Sequence, residues 1–98
     1  MEIIFEWDAR KARINLEKHK VAFDEACTIF HDPLLVTFSD EFHSQTEDRF
    51  ISIGLSERER TLLVVHTELD EKDDQIIIRI ISSRKATLSE RKIYEEHQ

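Results

Sequence analysis

Runs of apolar residues, alternating or continuous, predict five β-strands along the chain. The first run is rich in β-branched and aromatic residues, and the last four follow one another across short polar segments. The predicted strands are Glu2–Trp7, Leu34–Phe38, Arg49–Leu55, Thr61–Glu68 and Gln75–Ser82. Because such connections are too short for crossover helices, we expect the last four strands to pair antiparallel.

Capping signals predict where the first and last helices begin. Asp8 is the predicted N-cap of the first helix, since its carboxylate can accept hydrogen bonds from the first amides of a helix that runs to about Lys18. The segment Thr87–Glu90 matches a capping box and predicts a helix that ends near His97. The predicted apolar face of the first helix consists of Ala9, Ala12 and Leu16.

A second helix is predicted over residues 21–33, where Pro33 ends it. Its apolar positions have helical spacing and are Phe23, Ala26, Cys27 and Phe30. The resulting order is β-α-α-β-β-β-β-α, which predicts an α+β fold with helices mainly on one face of a largely antiparallel sheet. We expect residues 1–98 to form a single domain, because 98 residues suffice for one two-layer core.

The composition excludes several classes of protein. Hydrophobic residues make up 40% and charged residues 36% of the chain, with one Gly and one Pro, which is typical of a globular domain and not of a disordered, fibrous or membrane protein. No apolar run approaches the roughly 18 residues that cross a bilayer, and residues 1–20 lack a signal-peptide core. A cytoplasmic location is therefore expected. The single cysteine, Cys27, excludes an internal disulfide and is expected in the core.

The net charge of -7 argues against a protein that coats nucleic acid nonspecifically. Basic residues nevertheless occur in two windows without acids, Ala9–Leu16 and Gln75–Ser89. The acids concentrate in "SDEFHSQTED" and in "ELDEKDD", and the second of these segments is predicted to be a solvated hairpin turn.

Common cofactor motifs are absent from the sequence. It has no Gly-rich phosphate loop, no cysteine pair and no His-x-x-x-His helix pair, so nucleotide and zinc sites lack their usual support. We expect no metal and no cofactor. A metal site could still form if scattered histidines met in space, namely His19, His31, His43 and His66.

Arg79 lies within an otherwise apolar strand and is the most informative single residue. With alternating side chains, one face of the strand carries Ile77, Arg79 and Ile81, and the other carries Ile76, Ile78 and Ile80. Because the helices can cover only one face fully, we expect Arg79 on the open face. The alternative is a structural ion pair with an acid.

His66, in the neighbouring strand, is expected to lie close to Arg79. An imidazole there could exchange protons near neutral pH beside a fixed cation. The alternative is a structural histidine with satisfied hydrogen bonds.

Three segments resemble a known family. They are "FEWDARKARINLEKHKVAFDEA", "EDRFISIGLSERERTLLVVHTE" and "IRIISSRKATLSERKIYE", in this order over nearly the whole chain. They are similar to the BrnT toxins, the toxin half of a bacterial type II toxin–antitoxin pair. The resemblance implies a RelE-like fold and a ribonuclease that arrests translation. It also implies neutralisation by a BrnA-like ribbon-helix-helix antitoxin that binds operator DNA.

The resemblance also implies roles for individual residues. In a metal-independent ribonuclease the RNA 2′-hydroxyl attacks its own phosphodiester, so the protein supplies a proton acceptor, a proton donor and cations for the phosphorane. The expected cations are Arg49, Arg79 and Arg84, because Arg forks suit phosphate oxygens. The expected proton-transfer residues are His66 with Lys18 or His19, while Tyr94 positions the RNA or donates a proton. The expected RNA-binding residues are Trp7 and Lys85, with a core position as the alternative for Trp7.

Two positions depart from the family pattern. Lys20 stands where the family usually has Gly, and Ala22 where it has a small hydroxyl residue. A Gly suits a left-handed turn between helices, so the geometry of this turn is open.

Two other functions remain open at this stage. One is a non-catalytic module that binds an antitoxin and acts as its corepressor, and the other is a metal-dependent hydrolase. The acidic balance implies weak, salt-sensitive contact with free RNA and suits a basic antitoxin laid over the open face.

Overall fold

Five strands and three α-helices form the fold in the computed structural model, which describes residues 2–41, 48–71 and 74–98. The elements are β1 Glu2–Glu6, α1 Ala9–His19, α2 Phe23–Thr28, β2 Val36–Ser39, β3 Arg49–Leu55, β4 Thr61–Glu71, β5 Gln75–Lys85 and α3 Leu88–Glu96. The predicted α+β class and the element order are confirmed. No helix of the described ranges is long and apolar enough to span a membrane.

Several element bounds differ from the predictions. The second helix is shorter, because α2 ends at Thr28 and a 3-10 turn, Ile29–His31, completes the segment before Pro33. The hairpin strands are longer, because β4 reaches Glu71 and β5 reaches Lys85. Part of the predicted hairpin turn is therefore strand. Residues 42–47 and 72–73, in the two acid-rich segments, lie outside the described residues.

The sheet has the strand order β1-β5-β4-β3-β2. The four later strands pair antiparallel, as predicted, whereas β1 pairs parallel with β5 from Glu2 opposite Gln75 to Glu6 opposite Arg79. Since β1 ends at Glu6, the part of β5 beyond Arg79 has no neighbouring strand on that side among the described residues.

A β-bulge interrupts the pairing of β4 with β5. Val65 pairs with Ser82 and His66 pairs with Ile80, so Ile81 is left without a partner. Ile80 and Ser83 are buried, while Ile81 and Ser82 between them are half-buried. The bulge thus places two consecutive residues at the edge of the sheet just beyond the end of β1.

The helices lie on opposite faces of the sheet. The larger core, under α1 and α2, consists of Val21, Phe23, Ala26, Ile29, Leu62, Val64, Ile78 and Ile80. The smaller core, under α3, consists of Val36, Ile53, Leu63 and Tyr94. Helix α3 packs on β3, so the α3 face remains open over part of β4 and β5, where Leu69 is 57% exposed.

Of the predicted apolar face of α1, only Ala12 packs against the larger core, and the helix buries a polar side chain beside it. Ala9 and Leu16 are exposed, whereas Asn15 is buried. The Asn15 amide nitrogen donates to the carbonyls of Val21 at 3.0 Å and Ser83 at 2.8 Å, and its oxygen accepts from the Ser83 amide at 3.1 Å. The prediction is therefore wrong for Ala9 and Leu16, because α1 packs beside strand backbone that requires hydrogen-bond partners.

Lys20 adopts the left-handed conformation that the family Gly suits. Its φ is 60° and its ψ 32°, and its amide donates to the Leu16 carbonyl at 3.0 Å to close α1. Ala22 is the N-cap of α2 and makes no side-chain capping hydrogen bond, which a hydroxyl residue could supply. The turn therefore has the expected backbone conformation. It lacks the low-strain Gly at position 20 and a capping hydroxyl at position 22.

Replacing Lys20 with Gly is expected to raise the free energy of unfolding by about 1 kcal/mol, because Gly adopts positive φ without the Cβ penalty. Urea unfolding measures the change. The control is Glu17→Gly, in the interior of the same helix, which should lower stability by about 1 kcal/mol. Equal losses in both variants would contradict the left-handed turn.

Candidate active site along strand β5

A row of four side chains crosses the open face of the sheet. Arg49 pairs with Thr67, Thr67 pairs with Arg79, and Arg79 pairs with Glu6. From the spacing of strands, the Cα atoms of Arg49 and Arg79 are about 10 Å apart. The row therefore holds two of the predicted cations on one face.

Arg79 is on the open face, as predicted. Its Nη1 donates to Glu6 Oε1 at 3.3 Å, and the two side chains are 44% and 50% exposed. The ion pair that was the alternative is therefore also present. An exposed pair of this kind adds little stability, so a phosphate can compete for the guanidinium.

A groove of about 360 Å³ lies beside Arg79. Its apolar walls are Ile77 and Leu69, and its polar lining includes Thr67 and the acids Glu6, Asp48 and Glu68. The carboxylates lower the affinity of this groove for an anion, whereas the apolar walls favour contact with a protein or a base.

Two further predicted residues lie at the bulged edge of β5. Lys18 and His19, at the end of α1, line a groove of about 210 Å³ with Ile81 and Ser82. Ile81 and Ser82 follow Arg79 by two and three residues. Arg79 and the end of α1 thus flank one short segment of β5.

His66 does not lie near Arg79, and that prediction is wrong. His66 pairs with Ile80 and points into the larger core, while Arg79 pairs with Thr67 and points to the open face. Side chains of consecutive residues point to opposite faces of a sheet. Although His66 and Arg79 lie on neighbouring strands, their side chains are therefore on opposite faces. The buried position matches the alternative of a structural histidine, although Nδ1 has no hydrogen-bond partner among the described residues.

The surroundings of His66 keep its ring neutral. The ring is fully buried, with its centroid 4.9 Å from that of Phe30, and Nε2 is 2.7 Å from Ser52 Oγ. Nδ1 makes no hydrogen bond within the described residues, and the nearest carboxylate oxygen, of Glu68, is 3.9 Å away. Desolvation lowers the pKa of His66 to about 4.

Arg84 and Tyr94 both help to hold α3. Arg84 donates to the two carboxylate oxygens of Glu90 at 2.7 and 3.0 Å, and Glu90 completes the predicted capping box with Thr87. The bond from Arg84 lowers the pKa of Glu90 to about 2.

The Tyr94 hydroxyl donates to Asp32 at 2.6 Å, and burial together with Asp32 raises the pKa of Tyr94 to about 12. Their catalytic roles stay predictions, and both side chains already have strong partners.

The remaining predicted residues have mixed surroundings. Trp7 is half-buried and contacts Phe23 edge to face at 6.0 Å, which favours the core alternative, although Trp7 also lines a groove. Lys85 is exposed at the end of β5, and Arg49 is half-buried at the start of β3. Cys27 packs against the larger core, where burial raises the pKa of its thiol to about 12.

No group of three potential metal ligands was found within residues 2–41, 48–71 and 74–98. His43 lies outside these ranges. The predicted absence of a metal therefore stays a prediction.

A sequence model of the ribonuclease toxin BrnT, of type II toxin–antitoxin systems, matches residues 7–90. The chain belongs to the BrnT family. No curated protein matches the chain in sequence.

A solved structure supports the BrnT fold. The 1.1 Å crystal structure of the Brucella abortus ribonuclease toxin BrnT matches with a TM-score of 0.62 and 20% identity, covering 89% of this chain and 99% of that chain. At this identity the likeness shows the fold alone. The RelE-like label stays a prediction.

Three features of the site were not predicted from the sequence. They are the buried Asn15, the bulge at Ile81, and Lys11, which lines the groove between α1 and β5 together with Lys18 and His19. Asn15 shares a helix face with Ala12 and Leu16, so a polar residue on an apolar face was the available signal. The bulge has no signal of its own in an apolar run.

The two arginines of β5 should differ in their effect on stability. Arg84→Ala is expected to lower the free energy of unfolding by about 1 to 2 kcal/mol, because it leaves the half-buried Glu90 without its charged donor. Arg79→Ala should change it by no more than about 0.5 kcal/mol. Denaturant unfolding at pH 7 compares the two, and equal effects would contradict the assignment.

His66 predicts a loss of stability in mild acid. Its pKa is about 4 in the folded chain against an ordinary 6.5, so the unfolded chain binds the extra proton between these values. This contribution is complete above pH 6.5 and falls by about 3 kcal/mol as the pH drops to 4.

Unfolding measured across this pH range should show a flatter profile for His66→Gln than for the unsubstituted chain. The control is His97→Gln at the exposed end of α3. If the histidine at position 66 were accessible, both variants would give the same profile.

Proposed function

We propose that the chain is a metal-independent endoribonuclease toxin that acts in the cytoplasm and inhibits translation. Its family supports ribonuclease activity within a type II toxin–antitoxin system. The observation that carries the proposal is Arg79, an exposed cation on an uncovered sheet face, next to the bulged edge of β5.

The proposed reaction is transphosphorylation within the RNA. The 2′-oxygen forms a bond to phosphorus as its proton passes to a base, and the bond from phosphorus to the 5′-oxygen breaks as that oxygen receives a proton. Arg79, with Arg49 in the same row, stabilises the charge on the phosphorane. Lys18 or His19 transfers protons from the α1 side of the edge. His66 supports β4 from the core and does not contact RNA in this scheme.

The proposed partner is a BrnA-like ribbon-helix-helix antitoxin, which forms a hetero-oligomer with the toxin and alone contacts operator DNA. Ile77 and Leu69 offer apolar contact beside Arg79 on the open face. An antitoxin element on this surface would cover the cation and prevent RNA from reaching it.

A second candidate function is a non-catalytic module that binds the antitoxin as a corepressor. The observation that favours it is the pairing of the β5 arginines, because Arg79 contacts Glu6 and Arg84 contacts Glu90. In addition, His66 is buried on the other face.

Purified protein without antitoxin should cleave RNA in the presence of excess EDTA and should inhibit a cell-free translation reaction. Arg79→Ala is expected to reduce cleavage about 10²- to 10³-fold at unchanged stability, because a preorganised cation at the developing charge is lost. Arg91→Ala, on the exposed surface of α3, is the control and should cleave normally.

Other outcomes identify the alternatives. Activity that disappears with EDTA and returns with added divalent metal would identify a metal-dependent hydrolase. Intact folded protein that never cleaves RNA, but strengthens operator binding by its antitoxin, would identify the corepressor.

A further inference from the structure

The charges of the chain are separated in space. Residues 9–21 contain five Lys or Arg and one Glu, a net charge of +4, although the whole chain carries -7. These residues form α1 and the turn that follows it. The surface of α1 is therefore a basic part of an acidic protein.

The groove between α1 and the β5 edge concentrates this charge. Lys11, Lys18 and His19 line it together with Ile14, Asn15, Ile81 and Ser82, so its lining contains no acid. Three other grooves among the described residues each include at least one carboxylate. An anion is thus favoured here over the groove beside Arg79.

The two lysines are available for a ligand. Lys11 and Lys18 are exposed, and neither ammonium forms an ion pair within the described parts of the chain, although the Lys11 charge acts weakly on Asp8. They are seven residues apart on one helix face, about 10 Å along the axis. This distance spans more than one phosphate of a nucleic acid.

We propose that this groove binds the sugar-phosphate backbone of single-stranded RNA, with Lys11 and Lys18 each contacting a phosphate. The inference rests on the proposed ribonuclease function for the identity of the polyanion. In this arrangement a strand with its reacting phosphate at Arg79 passes around the sheet edge at Ile81 and Ser82, which line the groove. The groove has a volume of about 210 Å³.

The position of Asn15 makes the groove a fixed feature. Its buried amide joins α1 to the backbone of Ser83, so the lysines are held at a set distance from β5. A preformed groove binds without the cost of ordering the helix. Lys11 and Lys18 hold the strand in this role, and Lys18 is also one of the two candidates for proton transfer in the proposed reaction.

The test uses a short single-stranded RNA with 2′-O-methyl groups, which cannot be cleaved. The double variant Lys11→Gln/Lys18→Gln is expected to bind about 10- to 30-fold more weakly at 0.1 M salt, and its log-log salt slope should be smaller by about 1.4, since each single-strand phosphate contact contributes about 0.7. The matched control, Arg91→Gln/Lys92→Gln on α3, changes the net charge equally and should bind as the unsubstituted chain does. Thermal unfolding verifies that both variants fold.

The outcomes separate this inference from the proposed function, because binding of this RNA does not depend on cleavage. Selective weakening of the Lys11/Lys18 variant supports the groove even if the chain cleaves nothing. Equal weakening in both variants, no weakening, or no RNA binding at all overturns it. If the Lys11/Lys18 variant no longer binds co-expressed antitoxin while its RNA binding is unchanged, the inference is also overturned, and the groove is assigned to the protein partner.

Discussion

The buried amide of Asn15 fixes the geometry on which the site depends. It satisfies the carbonyl of Val21 and both backbone groups of Ser83, so one side chain joins α1, the turn after it and the end of β5. Because β1 ends at Glu6, no strand holds this part of β5 on that side within the described residues. The Asn15 amide supplies hydrogen bonds to the backbone of Ser83 where β5 has no strand beside it, and so keeps the bulged edge beside α1.

Arginines and lysines have different uses in this chain. Arg60 binds the buried carboxylate of Glu25, which also accepts from Ser56 at 2.7 Å, and so joins the β3–β4 turn to α2. Arg84 holds Glu90 in the same two-pronged manner. These planar groups stabilise tertiary contacts, whereas Lys11 and Lys18 of α1 are exposed. The acidic composition therefore conceals a surface that is locally basic.

Local signals in the sequence predicted local structure well. Asp8 and the Thr87–Glu90 box define the starts of α1 and α3 as expected, because caps depend on residues a few positions apart. The alternation of side chains correctly placed Arg79 on the open face, because the face of a residue depends on its position within its own strand. Family resemblance supplied the function class, which no pattern of charge or period contained.

Features that depend on distant residues were not predicted. The face of His66 relative to Arg79 follows from the pairing of two strands, and the partner of Arg84 follows from where α3 returns to the sheet. The bulge at Ile81 and the role of Asn15 likewise require the register between elements. Neither propensity nor period within one segment carries that information.

The parallel pairing of β1 with β5 has a consequence for folding. Glu6 and Arg79 are 73 positions apart, so this contact closes one of the longest loops in the chain and is expected late in folding. Until β1 docks, the isoleucine strand presents an unpaired edge, which is prone to association with other chains. The same step completes the surroundings of Arg79. Activity would thus be restricted to molecules that have finished folding. Incompletely folded chains would be exposed to aggregation or proteolysis before they became active.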